Sequence, residues 1–314
     1  MNGEKKQPFL AWALLILALF AVSSAGTILQ SMEGIPPFLR ASWRMQGTSL
    51  ILFPLFIMQY LNKNKYLISK NDVKLLLISS IFLALHFGSW VWSLDNTTLV
   101  HSLLFVTMHP IIVVLLMPVL GSSANKIHIA GAFVGVLGAI ITLGDVKSSG
   151  EVSISGDIAA FCGAITVVGY IFIGRYLRYE KNMPVFIYAF PVTLGAGVWL
   201  AIAAVLFESI SLNSIIPELE LFGWIDSSWF LWIIYLSIVP GLVGHTGINT
   251  VLRWIPPIMV SIVLLLEPVI GALIGWLYTG ELILGFWTLL GGPLMLFGVL
   301  IVTLGGKHES IEDI

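Results

Sequence analysis

With 314 residues, 58% of them apolar and 10% charged, and a mean hydropathy of +0.98, the chain falls short of the roughly 25% charged residues of a soluble domain. Its net charge of −2 excludes a strongly basic nucleic-acid binder. The lone cysteine, Cys162, excludes an internal disulfide and, lying in an apolar run, reads as packing.

Lys5 and Lys6 precede an apolar run from Phe9, and Ser23-Ser24-Ala25 resembles a signal-peptide cleavage site. The uncharged stretch continues to Gln30, about 22 residues and long enough to span a bilayer, so it reads as the first membrane helix. Comparable stretches follow at 38–60, 73–94, 99–120, 127–144, 156–177, 184–207, 229–250, 257–279 and 284–304. Each is expected to be a helix, because in hydrocarbon only a helix satisfies its backbone groups within one segment. The expected fold class is all-α integral membrane, with ten transmembrane helices.

Loop charge sets the orientation. With the N-terminus in the cytoplasm, twelve basic residues, from Lys5 to Lys307, fall on the cytoplasmic side and only Lys147 on the other. Arg40 and Arg44 lie inside the second span, which accounts for all 15. Both termini are expected to be cytoplasmic, in a bacterium at the plasma (inner) membrane. The connection 208–228, with Glu208, Glu218, Glu220 and Asp226, reads as a solvated outer loop. Asn96-Thr97-Thr98 has the form of a glycosylation acceptor but sits against the membrane.

The ten stretches divide into two sets of five. His109–Gly121 lies over Glu267–Thr279 at an offset of about 158, Gly131 meets Gly291, Gly138 meets Gly298, and Thr142-Leu143-Gly144 recurs as Thr303-Leu304-Gly305. His86 of span three has a near counterpart in His245 of span eight. An odd number of spans per repeat turns the second copy upside down, the arrangement by which many transporters alternate access. The expected division is a cytoplasmic N-terminus 1–8, a first five-helix repeat 9–145, an external linker 146–155, a second repeat 156–305 and a cytoplasmic tail 306–314.

On these residues the chain resembles a known family. Leu266-Glu267-Pro268-Val269, Gly280-Glu281, Gly291-Gly292 and Gly298-Val299 are similar to the second half-domain of EamA-type members of the drug/metabolite transporter superfamily, and His109-Pro110 through Gly144 to the first. The resemblance implies a ten-helix unit of two inverted five-helix repeats around a central cavity. Its members carry amino acids, nucleosides, sugars, nucleotide-sugars, drugs or other metabolites.

An ionised group at a helix centre costs roughly 2.5–3.5 kcal/mol, so it turns toward a cavity or a partner. That singles out Arg40, Arg44, His86, His109, His245 and Glu267. Glu267 precedes Pro268, which removes a helix hydrogen bond; the pair suits a cation, a proton or a substrate amine, or a protonated carboxyl bridging the halves. His109-Pro110 is its counterpart, and matched interruptions point to a transporter's binding site. His86 shares a face with Trp90, and the histidines are suited to relaying protons. Arg40 reads as snorkelling to the headgroups, whereas Arg44, deeper, is expected to meet Glu33, Glu267 or an anionic substrate. Trp90 and Tyr170 are the expected aromatic cavity wall. The candidates for substrate binding or coupling are therefore His86, Trp90, His109, Tyr170, His245, Glu267 and Arg44, with Pro110 and Pro268 as helix interruptions.

The sequence contains no HExxH zinc pair, Gly-x-Ser-x-Gly elbow or P-loop. No catalytic residue, metal ligand or cofactor is assigned; His308-Glu309 opens like a zinc motif, but position 312 is Glu. The expected function is secondary transport of a small neutral or zwitterionic metabolite, such as an amino acid or nucleoside, by alternating access with proton coupling or exchange. An intramembrane metal-dependent enzyme, or a membrane receptor or assembly factor, is the alternative. The expected partners are a small-molecule substrate and the lipid bilayer, without nucleic acid, for a monomer or homodimer.

Overall fold

The computed structural model describes residues 9–61, 66–116, 125–145, 151–255, 260, 263–281 and 284–305. Lys5, Lys6, Lys63, Lys65, Lys147, Lys307 and His308-Glu309 lie outside the described residues, as do 117–121 of the first repeat and 257–259 of span nine. The described helices are α1 (Phe9–Ser23), α2 (Ala25–Gln30), α3 (Pro37–Tyr60), α4 (Lys70–Leu94), α5 (Leu99–Val106), α6 (His109–Leu116) and α7 (Lys126–Thr142). They continue with α8 (Ile154–Arg175), α9 (Val185–Phe207), α10 (Ser227–Leu236), α11 (Gly247–Val251), α12 (Glu267–Thr279) and α13 (Phe286–Gly305). Tyr176–Glu180 and Ser237–Thr246 are π-helical.

Local chemistry sets the helix starts. Ser69 accepts the Asp72 amide at 3.1 Å while the Asp72 carboxylate accepts the Ser69 amide at 2.9 Å, a capping box at the start of α4. Thr98 and Ser153 cap α5 and α8 by accepting the amides of His101 and Gly156. Gly280, at φ 76°, closes α12 in the left-handed region that favours glycine.

Two spans are divided ahead of a proline. After α5 the chain turns at Thr107-Met108 and restarts at His109, with Pro110 second in α6; Leu265-Leu266 form the matching turn before Glu267-Pro268 opens α12. Each proline thus lies in the first turn of a new helix, where a missing N–H is tolerated. The interruption precedes the proline.

Among the described residues, six stretches are long and apolar enough to cross a membrane: Phe9–Gln30, Lys70–Leu94, Leu99–Leu116, Ile154–Glu180, Val185–Phe207 and Ser227–Val251. Lys126–Thr142 and Phe286–Val302 are shorter apolar helices, and α3 is long enough at 24 residues but carries Arg40 and Arg44. Apolar side chains such as Leu17, Phe133, Val198 and Leu277 are exposed on the outward faces, as a surface against hydrocarbon requires.

The helices pack in a recurrent pattern. α7 lies along α13, α3 along α9 and α5 against α12, while α4 packs on α8 and α1 on Ser237–Thr246. At the α7–α13 contact a Cβ on Gly131 would lie 2.8 Å from the Gly298 carbonyl, and one on Gly138 2.7 Å from that of Gly291. Only glycine lets these backbones meet. The largest apolar core joins α2, α3, α4, α8, α9 and α10 through residues such as Leu39, Trp43, Phe87, Trp90 and Tyr188.

Two sequence expectations are corrected. Arg40 does not snorkel: it is 2% exposed, donates to Leu29 O at 2.7 Å and pairs with Asp95, because the carbonyls ending α2 and the carboxylate ending α4 converge on it. Cys162 is exposed on α8 instead of packed. The 208–228 connection is exposed over much of its length, as expected of a solvated loop, and is anchored to the bundle at particular residues. Trp224 donates to Gln46 at 2.8 Å, and Trp43 to Leu221 O at 3.0 Å. Glu208 accepts the amides of Phe38 and Leu39 at 2.7 and 3.0 Å, capping α3; burial nevertheless holds its carboxyl above the usual carboxylate range, outweighing those amides. Asn96 is likewise engaged, donating to Trp92 O at 2.8 Å. These contacts gather at one end of the bundle, the Gln30 end. At the opposite, Gln59 end, Gln59 accepts the Phe186 amide at 2.9 Å, and Arg175 donates to Leu252 O at 2.9 Å.

Candidate functional site

About two turns into α3, Arg44 is 0% exposed. Its guanidinium lies over the Phe87 ring, 4.4 Å from the centroid, and 6.0 Å from that of Trp90. Nε, Nη1 and Nη2 all lack a hydrogen-bond partner among the described residues. A guanidinium donates five N–H groups and accepts none, so this is a large donor set without protein partners in a buried place.

Aromatic and imidazole rings surround it. On α4, the His86 ring is bonded through Nδ1 to Gly163 O at 2.9 Å and stacks with Trp90, centroids 6.3 Å apart and planes 9° apart. His245 lies 6.4 Å from His86 and meets Phe87 edge-to-face at 5.1 Å. The π-helical stretch Ser237–Thr246 delivers His245 to this position. Within it Pro240 cannot donate to a regular helix ladder, and a Cβ on Gly244 would lie 2.7 Å from Val22 of α1. Such local widening recurs at functional sites.

The remaining candidates border this cluster. Tyr170 of α8 is 7% exposed and accepts from the Asn249 amide, which also donates to His245 O at 2.9 Å. Glu267, opening α12, is half-buried and within electrostatic reach of Arg44, with no hydrogen bond between them. His109, 8% exposed, leaves Nε2 unpartnered and lies within electrostatic reach of His86. Glu33 is exposed in a turn and takes no part. All seven candidates therefore come to one region, and Pro110 and Pro268 are buried at the two helix breaks beside it.

Arg44, Thr48, Phe87, Tyr170, His245 and Asn249 line a cavity of about 20 Å³, the room of roughly one water. A larger cleft, about 300 Å³, opens at the Gln30 end among Gln30, Asp95, Thr98, Glu151, Trp276 and Glu281. The larger space is not where the unsatisfied Arg44 donors lie. Leu99 in the cleft wall and Trp90 in the cluster both abut Gly26, so a thin layer of side chains separates the two.

A family model described as the EamA-like transporter family matches residues 9–144 and again 154–304. The chain belongs to the EamA-like transporter family. It is accordingly a multi-pass integral membrane protein of the drug/metabolite transporter superfamily. No curated protein matches. One solved crystal structure is similar with a TM-score of 0.61 and 18% identity, over 94% of this chain and 97% of that one; at that identity the likeness concerns the fold alone.

This EamA-like chain also holds a polar network that sequence reasoning missed. At the Gln30 end His101 of α5 meets Asp157 of α8 at 3.1 Å through Nδ1 and Thr288 of α13 at 2.7 Å through Nε2. Asp145 accepts from the Thr288 hydroxyl at 2.6 Å and from the Thr288 and Trp287 amides at 2.7 and 3.2 Å. All four side chains are at least 97% buried. These residues lie at helix ends, where hydropathy assigns polar groups to the interface. Asn249, inside span eight, was the legible omission. Among the described residues no group of three or more His, Cys, Asp or Glu is placed to hold a metal ion.

Proposed function

We propose that this EamA-like chain is a secondary transporter of two inverted five-helix halves, 9–145 and 156–305, that moves a small neutral or zwitterionic metabolite by alternating access around Arg44. The observation that carries the reading is the composition of the cluster. Arg44, His86 and Trp90 belong to the first half, while His245, Tyr170 and Glu267 belong to the second. Movement of one half against the other therefore remakes the site itself.

The packing supports this symmetry. The repeat equates Gly131 with Gly291 and Gly138 with Gly298, yet Gly131 touches Gly298 and Gly138 touches Gly291. Exchanging the halves turns each contact into the other, as across a two-fold axis. The α3–α9 contact is its own counterpart, and α4 on α8 is matched by Ser237–Thr246 on α1. Taking divided helices as single spans gives ten, with the Gln59 end cytoplasmic by loop charge. The Gln30-end cleft then opens to the outside, and the Arg44 cavity is too small for cargo until the halves separate. The family match to both segments agrees with the duplication.

Flux of amino acids and nucleosides into proteoliposomes, with and without a pH gradient, tests the proposal. Saturable flux that is lost in Glu267→Gln or His109→Ala supports it; no flux of any solute by folded protein overturns it. Flux indifferent to the gradient, in wild type and His→Ala variants alike, removes proton coupling and leaves exchange.

A further inference from the structure

The donors left over at the centre specify what the cargo must bring. Few buried polar atoms in a folded protein lack a hydrogen-bond partner, yet here Arg44 leaves all three guanidinium nitrogens unpaired and Trp90, 4% exposed, leaves its indole Nε1 unpaired. Both side chains only donate. Their centres lie 6.0 Å apart, and Arg44 faces the small cavity shared with Tyr170 and His245. No acceptor among the described residues satisfies either group. Glu267, the nearby carboxylate, is within electrostatic reach but not bonded.

A planar guanidinium fork with an adjacent N–H is complementary to a group with two acceptor oxygens and one negative charge. Resting on that transport reading, we propose that the Arg44 site binds a small organic carboxylate. The carboxylate oxygens take the Arg44 fork and the Trp90 indole N–H, and the apolar body lies against the Phe87 and Tyr170 rings. This narrows the cargo: a nucleoside carries no carboxylate. A highly charged anion is excluded by the single cation, and an added negative charge beside Glu267 favours a carboxylate that also carries an ammonium group.

The test is binding to the purified full-length protein in nanodiscs, measured by calorimetry. The probes are 3-phenylpropionate, phenylalanine, the neutral 3-phenylpropionamide, uridine and inorganic phosphate. At least one acid is expected to bind about tenfold or more tightly than the amide, the ratio of one hydrogen bond to a charged group. Phenylalanine binding above phenylpropionate assigns Glu267 the ammonium. Arg44→Met is expected to abolish the preference for acid over amide. Should that variant not fold, Trp90→Phe keeps an aromatic ring while removing the N–H along with part of the indole, and is expected to weaken the acid several-fold more than the amide. Equal binding of acid and amide, tighter binding of phosphate than of either acid, or an undiminished preference in both variants overturns the inference. Uridine binding and flux without carboxylate binding sinks the carboxylate while transport stands. Absence of binding and flux for every probe sinks both.

Discussion

The guanidinium of Arg44 sits 4.4 Å from the centroid of the Phe87 ring, and that ring face stands in for the hydrogen bonds the group lacks. A buried cation without partners is costly, and a desolvated ring face returns about 2 kcal/mol of it. Phe87→Leu, which keeps apolar volume, should therefore lower the unfolding midpoint more in wild type than in an Arg44→Met background. A double-mutant cycle on thermal unfolding in detergent is expected to give a coupling of about 1–2 kcal/mol. Zero coupling reduces Phe87 to packing.

The α7–α13 contact yields a second expectation. A methyl on Gly138 would meet backbone, the Gly291 carbonyl at 2.7 Å, and backbone cannot step aside as a side-chain tip can. Gly138→Ala should destabilise by about 1–3 kcal/mol. Gly247→Ala, whose methyl would find its nearest neighbour, Ala18 Cβ, at an ordinary 3.4 Å, should cost nothing. Parallel melting curves compare them, and equal midpoints would remove the tight-contact argument.

Much of the fold was legible because hydropathy and proline report directly on helices. The stretches read at 73–94 and 184–207 became Lys70–Leu94 and Val185–Phe207. The Glu267-Pro268 and His109-Pro110 pairs marked real breaks, each in the turn just before its proline, where the lost hydrogen bond and the ring clash fall. Arg44, His86, Trp90 and His245 were legible as single polar or aromatic residues in apolar spans. Their convergence was not, since the rotation of His245 depends on a π-helical stretch that a 3.6-residue period cannot reveal. Arg40 shows the other limit. Its depth in the sequence fitted the interface, while its burial comes from Asp95 and Leu29, which only the folded chain brings together.

The network at the Gln30 end is expected to hold the start of α13. Asp145 accepts the amides of Trp287 and Thr288 as well as the Thr288 hydroxyl, and a buried donor that loses its acceptor costs about 1–3 kcal/mol. Asp145→Ala should therefore destabilise the protein by about 2 kcal/mol or more. Amide hydrogen exchange over residues 286–290 should accelerate in step. Thr288→Val, which leaves the amide bonds intact, should do less. Unchanged exchange in Asp145→Ala would mean that helix packing alone fixes α13.

Glu208 gives the chain a pH dependence at the same end. Its carboxyl titrates above the usual range because burial outweighs the amides of Phe38 and Leu39, so the folded protein binds this proton more tightly than the unfolded chain does. The stabilisation is present at pH values below the unfolded carboxylate pKa and is lost as pH rises through the folded one. Glu208→Gln keeps a neutral group that accepts an amide at every pH. Its unfolding midpoint should match wild type near pH 4 and exceed it near pH 7. A variant less stable than wild type at pH 7 would show the reverse balance, with the ionised cap on α3 outweighing the cost of burying it.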